Sequence, residues 1–225
     1  MSFRNVKENK MATYTLQKSF ASHTQPTPNV MEVARMFGIG TDRERLIEVV
    51  QRCEITIKPG QVVYITGASG AGKSLLLRLL KERLPDALDL DEQSLPQNQP
   101  LVDCFEADLE AALQWLGAAG LSDAFVLLRH PEQLSDGQRY RFRLALAMSR
   151  QPATIFIDEF CAALDRITAA VVAHNVRRFA DRFGTTFIIA TSHDDLLEDL
   201  SPDVIVVKHL GGTCDIFYPN RMPGY

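Results

Sequence analysis

Eight consecutive residues, Gly67 to Ser74, have the types and spacing of a phosphate-binding loop. They read GASGAGKS, with glycine at the first and sixth positions and lysine and serine at the end. Glycines permit a tight turn whose backbone N–H groups point at phosphate oxygens, and the following helix adds the positive end of its dipole. Lys73 supplies a cation for the terminal phosphates, and the Ser74 hydroxyl is a ligand for Mg²⁺. We predict that nucleotide is bound by Gly67, Ala68, Ser69, Gly70, Ala71, Gly72, Lys73 and Ser74.

A pair of carboxylates follows an apolar strand. The strand is predicted at residues 154–157, and Asp158 and Glu159 come directly after it. In enzymes with such a loop, an aspartate at this place orders the Mg²⁺ shell. The adjacent Glu159 can then polarise a water for attack on the γ-phosphate. Two neighbouring acids with separate tasks favour hydrolysis over transfer to an organic acceptor, so Asp158 is predicted as a metal ligand and Glu159 as catalytic.

Three further segments carry a resemblance to a known family. Leu134 to Gln138 reads LSDGQ, and this segment resembles the signature of ABC-type P-loop ATPases, usually written LSGGQ. Cys161 to Asp165 resembles the D-loop of that family, and Ala190 to Asp194 is similar to its switch-histidine segment. The four motifs occur in family order between residues 67 and 195.

The resemblance implies ATP and Mg²⁺ as cofactors and two ATP molecules sandwiched between two antiparallel copies of the chain. Each site would take its phosphate loop, acidic pair and His193 from one chain and Ser135 from the other. A helix that starts with small residues suits this task, because it presents a hydroxyl and a backbone N–H to an anion. The further ATP-binding residues implied are Ser135, Gly137, Gln138 and Asp165, and His193 is implied as catalytic.

The family also has a glutamine between the phosphate loop and the signature, which contacts Mg²⁺. Gln97 and Gln99, in LPQNQP, are the main candidates, and Gln93 is a third. We prefer Gln97, because a short apolar segment with a proline precedes it, and assign it to both catalysis and the metal. Tyr14 and Phe37 are candidates for stacking on the adenine.

The sequence departs from the family pattern at two places. Asp136 stands where glycine is usual, and a carboxylate near a phosphate predicts slow turnover. Ser135 follows Lys73 by only 62 residues, which predicts a reduced helical subdomain and is evidence against a transporter subunit. The stretches around 134–145, 158–166 and 190–204 most resemble prokaryotic and viral ABC ATPases that are often fused to a predicted acetyltransferase domain. This chain would be a stand-alone version.

Alternating strand and helix patterns predict an α/β fold with a mainly parallel central sheet. By resemblance this is the ABC ATPase fold, with a small antiparallel β-subdomain and a reduced helical subdomain at about residues 100–150. Residues 1–30 are predicted to be polar and partly disordered, with a short strand at Tyr14–Leu16, and 31–225 to form one ATPase domain. Met1 and Met11 are both possible starts. Strands are predicted at 46–50, 54–57 and 62–66, the last two as a hairpin. Helices are predicted at 75–84, 107–120, 135–150 and 166–183.

The composition limits the classes of function that the sequence can have. The net charge of −4 gives no general attraction to nucleic acid, although two basic runs occur. The apolar runs fall short of the about 20 residues that cross a bilayer, and the four cysteines lack metal-ligand spacing, so a cytoplasmic location is predicted. The basic runs are Arg139, Arg141, Arg143 and Arg177, Arg178, Arg182.

We therefore predict an ATP-hydrolysing enzyme that forms an ATP-dependent, head-to-tail homodimer and acts as a switch on an unknown protein partner. An acetyltransferase is one candidate for that partner, a membrane protein is less favoured, and nucleic acid is a weak option. The alternatives are the nucleotide-binding subunit of an ABC transporter and a nucleotide sensor that does not hydrolyse ATP.

Overall fold

The computed structural model describes residues 11–23, 27–38, 44–192 and 195–219. The strands are β1 Ala12–His23, β2 Glu44–Ile57, β3 Val62–Thr66, β4 Leu88–Asp89, β5 Thr154–Ile157, β6 Thr186–Ala190, β7 Val204–Lys208 and β8 Cys214–Phe217. The helices are α1 Pro28–Phe37, α2 Lys73–Lys81, α3 Leu109–Ala118, α4 Ala124–Leu127, α5 Asp136–Ser149, α6 Arg166–Phe183 and α7 Leu197–Leu200. Two short 3-10 turns lie at Leu101–Cys104 and Pro131–Gln133.

The central sheet has six strands in the order β4-β5-β6-β3-β7-β8. Its first five strands are parallel, and β8 pairs antiparallel with β7. A second, two-stranded sheet is formed by β1 and β2. The predicted fold, α/β with a mainly parallel sheet and a small antiparallel sheet, is confirmed.

Core side chains alternate between the two faces of the central sheet. Tyr64 and Phe187 point to the face that α3, α5 and α6 cover, whereas Ile65 and Ile188 point to the face that α2 and β2 cover. All four side chains are fully buried. A parallel strand covered on both faces is apolar along its whole length, and this explains the continuous apolar runs of the sequence.

Three predicted helices have their ends fixed by local signals. Asp108 caps α3 by accepting the N–H of Ala111 at 2.8 Å, and Ser135 caps α5. Gly184, at φ +68°, ends α6 in the left-handed conformation that glycine adopts most readily. Helices α1 and α4 have no counterpart among the helices predicted from the sequence. None of the helices in the described ranges is long and apolar enough to cross a membrane.

The predicted hairpin between residues 54–57 and 62–66 is wrong. The two segments 46–50 and 54–57 belong to one strand, β2, which pairs along its length with β1. β3 lies between β6 and β7, so both of its edges are occupied. The Pro59–Gly60 turn therefore carries the chain from one sheet to the other rather than closing a hairpin.

Within the predicted polar amino-terminal segment, Ala12–His23 form one long strand, β1. This strand extends well beyond the predicted Tyr14–Leu16, and its pairing with β2 is interrupted by irregularities between Leu16 and Ser19. Leu16 is buried in the core beneath the small sheet. The strand was underestimated because its stabilising partner lies more than twenty residues away. Residues 1–10 and 24–26 lie outside the described residues.

A buried arginine connects α6 to the central sheet. Arg177, 5% exposed, pairs with Asp203 (Nη1 to Oδ2, 2.7 Å) and with Asp181. The same Asp203 oxygen accepts the N–H of Val62, the first residue of β3, at 2.8 Å. This network fixes the amino end of the strand that leads into the predicted phosphate loop.

Replacing Arg177 with Met should lower the free energy of unfolding by about 3 kcal/mol, because the half-buried carboxylate of Asp203 would lose the guanidinium that compensates its charge. Urea unfolding followed by circular dichroism measures this. Arg178→Met, at the exposed neighbouring position, is the control and should change stability by about 0.5 kcal/mol or less. Equal effects of the two substitutions would contradict a structural role of the Arg177 ion pairs.

Candidate functional site

The residues singled out in the sequence follow parallel strands at one edge of the central sheet. Ile65 lies opposite Ala190, and Ile157 lies opposite Ile189, so β3, β5 and β6 end at the same level. The phosphate-loop segment, the acidic pair and Thr191 come directly after these ends. Ligands of open α/β sheets bind outside the carboxyl ends of the strands.

The loop between β3 and α2 depends on a close backbone approach. A Cβ on Gly67, at φ +140°, would lie 2.2 Å from the carbonyl oxygen of Lys208 at the end of β7. Only glycine fits there. Ala68, Ser69 and Gly70 are exposed, so their backbone is accessible to a ligand. The Lys73 ammonium lies at the mouth of the loop, donating to the carbonyl oxygens of Gly67 at 2.8 Å and Ala68 at 3.1 Å.

The acidic pair lies beyond β5 in a strained turn. Asp158 is half-buried and Glu159 is exposed. Glu159 has φ +46°, and its N–H donates to Asp158 Oδ1 at 3.0 Å. The left-handed conformation is disfavoured for a residue with a side chain, and such strain is often found at functional sites. The turn separates the two carboxylates, so that one is half-enclosed and the other faces solvent.

A third carboxylate, which was not among the predicted site residues, lies close enough to the acidic pair for the charges to interact. Asp91 follows β4 by two residues, and its side chain lies 3.9 Å from Arg143. Burial raises the pKa of the Asp91 carboxyl, and the negative charges of Asp89, Asp158 and Glu159 contribute to the increase, whereas the charge of Arg143 opposes it. The signal for it was its place after a strand, but β4 is only two residues long.

The donor set fits Mg²⁺. Ser74, the second residue of α2, and Asp158 offer a hydroxyl and a carboxylate, the hard oxygen ligands that this ion prefers. Within the described parts of the chain, no group of three or more His, Cys, Asp or Glu side chains could hold a metal. Magnesium in nucleotide sites commonly takes one or two protein oxygens together with phosphate oxygens.

The signature segment starts α5 with a reciprocal pair of hydrogen bonds. The Ser135 hydroxyl accepts the N–H of Gln138 at 3.3 Å, and the Gln138 side chain accepts the N–H of Ser135 at 3.2 Å. Asp136 is the first helical residue; its side chain is 89% exposed and lies 3.2 Å from Arg139. The unusual carboxylate therefore faces solvent and is partly neutralised within its own helix.

The D-loop segment lies against the start of α5. A Cβ on Gly137 would lie 3.1 Å from the carbonyl oxygen of Ala163. Asp165 caps α6 by accepting the N–H of Thr168 at 3.0 Å. The hydrogen bonds from Thr168 lower the pKa of Asp165. The structure thus brings the signature and the D-loop segment together within one chain.

The three candidate glutamines differ in their surroundings. Gln93 follows β4 closely, and both polar atoms of its amide are enclosed without a hydrogen-bond partner in the described structure. Gln97, the preferred candidate, is exposed. Both line a cavity of about 480 Å³ beside α5. Gln99 is half-buried, and its carbonyl oxygen faces the Cys104 thiol.

The remaining predicted residues are His193 and the two aromatic candidates for stacking on the adenine. His193 lies outside the described residues. Of the aromatic candidates for the adenine, Phe37 is 73% exposed at the end of α1, and Tyr14 is half-buried on β1.

Three arginines of the predicted basic runs are engaged within the protein. Arg139 pairs with Asp136, and Arg141 donates to the carbonyl oxygen of Gly120 at 2.6 Å. Arg177 is buried in its ion pairs. These guanidinium groups do not form a free cationic surface, which weighs against binding of nucleic acid through these runs.

Comparison with known proteins identifies the family. The profile of the family described as ABC transporter matches residues 50–102. A relative named aliphatic sulfonates import ATP-binding protein SsuB 1, from Xanthomonas axonopodis pv. citri (strain 306), is 32% identical, covering 74% of this chain and 77% of the relative. The chain belongs to the ATP-binding cassette (ABC) family. The predicted ABC-type P-loop ATPase is thereby confirmed.

Further similarities are consistent with this family. Methionine import ATP-binding protein MetN 1 from Rhodococcus jostii (strain RHA1) is 29% identical to this ABC ATPase. The matched region covers 81% of the present chain and 63% of the length of MetN 1. The fold matches the ATP-binding cassette MJ0796 in a dimeric post-hydrolysis state bound to ADP and phosphate, with a TM-score of 0.64 and 17% identity over 94% of this chain and 100% of that one. The names of these relatives give no support to the predicted closeness to acetyltransferase fusions.

Substituting Asp136 with Asn should raise the rate of ATP hydrolysis by no more than about fivefold. An exposed charge with a partner on the same helix contributes about 1 kcal/mol or less to a nearby interaction. Steady-state phosphate release at fixed ionic strength measures the change, with Asp86→Asn, an exposed aspartate in the turn after α2, as the control. An increase above tenfold would contradict the solvent-facing placement of Asp136.

Proposed function

We propose that the ABC ATPase binds Mg-ATP at the edge of the sheet formed by β3, β5 and β6 and hydrolyses it there. Lys73 and the N–H groups of Gly67–Gly72 hold the phosphates, and Ser74 and Asp158 supply oxygen ligands for Mg²⁺. Glu159 accepts the proton of the attacking water. Bound Mg²⁺ would neutralise charge on the phosphates. The proposal is supported above all by one observation. The strands that precede the phosphate-loop segment and the acidic pair end at the same level, so both segments begin at the same edge of the sheet.

The proposed assembly is a head-to-tail homodimer that encloses two ATP molecules. Ser135 is exposed at the start of α5, where its hydroxyl and the dipole of the helix can face an anion on a second copy. Gly137, Gln138 and Asp165 would complete this surface, and His193 would contact the γ-phosphate from the same chain as Glu159. The dimeric state of the MJ0796 cassette, whose fold this chain shares, supports the arrangement.

The partner on which the dimer acts is best sought among membrane transporters, the alternative function of the sequence analysis. The relatives are named as import ATP-binding proteins, and this favours a transporter subunit at the cytoplasmic side of a membrane over a switch on a soluble partner. An exposed apolar surface supports protein docking near α4: Phe125 is 80% exposed and Leu128 is 68% exposed, beside the turn at Leu101–Cys104. An acetyltransferase partner has no such support.

Replacing Glu159 with Gln should lower ATP hydrolysis at least about 100-fold, because the amide cannot accept the proton of the attacking water. ATP binding should persist, so the variant should accumulate as an ATP-bound dimer. Phosphate release and size-exclusion chromatography with Mg-ATP measure the two effects. Glu110→Gln, at an exposed position on α3, is the matched control. Turnover of Glu159→Gln within tenfold of the wild type would refute the assignment of the base.

We assign the magnesium-side glutamine to Gln93 in preference to Gln97. An enclosed amide without hydrogen bonds is costly, and it calls for a partner such as a water of the Mg²⁺ shell. Gln93 also follows β4, whose carboxyl end lies at the same sheet edge as that of β5. Gln97 lies four residues further along and faces solvent.

Alanine substitution distinguishes the two glutamines. Gln93→Ala should lower kcat for ATP hydrolysis about tenfold or more, and its Mg²⁺ requirement should shift to higher concentration. Gln97→Ala, on the same cavity, should change either value less than about twofold. Magnesium titrations of phosphate release measure both. The reverse order of effects would restore Gln97 as the magnesium-side residue.

A further inference from the structure

The segment after β5 contains two non-glycine residues with left-handed backbone conformation. Glu159 has φ +46° and Cys161 has φ +59°, with Phe160 between them. Such conformations are disfavoured for residues with a Cβ, and they persist only where surrounding contacts hold them. The contacts that hold this segment therefore also hold the backbone from which the Glu159 side chain projects.

Two backbone hydrogen bonds anchor the segment to different elements. Phe160 is fully buried, and its N–H donates to the carbonyl oxygen of Ala190 at 3.1 Å. The N–H of Cys161 donates to the hydroxyl oxygen of Tyr140 at 3.2 Å. The first bond connects the segment to β6, and the second connects it to α5.

Helix α5 contacts the same segment a second time. The start of the helix lies so close that a Cβ on Gly137 would be 3.1 Å from the Ala163 carbonyl oxygen and 3.2 Å from Leu164 Cδ2. Tyr140 lies one turn further along the same continuous helix. A displacement of the helix start, where Ser135 is exposed, must therefore move the segment that carries Glu159.

The Tyr140 hydroxyl is neutral at ordinary pH. Burial raises the pKa of Tyr140 well above its usual range. Burial also raises the pKa of the Cys161 thiol, to about 12. The observed bond between the two residues is the one that the Tyr140 hydroxyl accepts from the N–H of Cys161.

We propose that Tyr140 is a positioning residue, whose hydroxyl holds the Cys161 N–H and thereby keeps Glu159 in place for hydrolysis. It also connects the two nucleotide sites, because α5 touches one ATP through Ser135 while its own chain's Glu159 acts on the other. This inference depends on the proposed dimer and on Glu159 as the base. Tyr140 itself does not touch ATP.

The test is Tyr140→Phe, which keeps the ring and removes only the hydroxyl. We expect kcat for ATP hydrolysis to fall about tenfold, since one backbone N–H loses its buried partner at the base-carrying turn. KM for ATP should stay within about twofold, because the phosphate-binding residues are unchanged. Hydrogen–deuterium exchange of a peptide that covers 158–165 should become faster, while exchange elsewhere stays the same.

Tyr218→Phe is the matched control. The Tyr218 hydroxyl also accepts a backbone N–H, that of Thr56 at 3.0 Å. Thr56 lies on β2 in the two-stranded sheet, just before the turn that leads to the amino end of β3. This variant should hydrolyse ATP at the wild-type rate and leave exchange of residues 158–165 unchanged.

Three results would overturn the inference. The first is a kcat of Tyr140→Phe equal to that of the wild type. The second is a loss of both kcat and thermal stability that the Tyr218→Phe control shows to the same extent. The third is unchanged hydrogen–deuterium exchange of residues 158–165 in Tyr140→Phe. If the wild type hydrolyses no more ATP than Glu159→Gln, the proposed function fails instead. The exchange experiment still decides the Tyr140 contact in that case, because it needs no turnover.

Discussion

The rest of this molecule depends on one constraint: the backbone at Gly67 and the backbone at Lys208 lie so close that no side chain fits between them. Gly67 lies against the carbonyl oxygen of Lys208, at a distance that excludes any Cβ. This contact fixes where the chain leaves β3 and turns into α2. Because β3 lies between β6 and β7, the same sheet edge places the residues that follow β5 and β6 beside the loop. The close contact between Gly67 and Lys208 therefore helps to set the position of the candidate nucleotide site.

The parts of this arrangement that the sequence predicted all have local signals. The loop GASGAGKS lies between an apolar strand and an amphipathic helix, and the signature segment contains both halves of a capping box in Ser135 and Gln138. Strand β5 could be predicted because its residues form a continuous apolar run. The predicted site residues came from these segments and from a family resemblance.

What the sequence did not predict depends on partners far along the chain. β2 was divided into two strands because Gln51 and Arg52 interrupt its apolar pattern, yet both belong to β2, at the irregularity where its pairing with β1 shifts. The difference between Gln93 and Gln97 is one of enclosure, since only the first has its amide shielded from solvent. Likewise, the effect of Asp136 could not be judged before its pairing with Arg139 was known. Burial and ion pairing are three-dimensional properties, and a linear pattern contains them only in part.

The packing of α5 bears on how two copies of the chain would communicate. A hinge between the signature and the D-loop segment would let each nucleotide site act alone. The observed contacts leave no room for one: Gly137 lies against Ala163, Tyr140 bonds Cys161, and Phe160 is locked to β6. Packed interiors of this kind shift as units rather than deform continuously. Closure of a dimer around one ATP would therefore act on the strained turn at Glu159 through these rigid contacts.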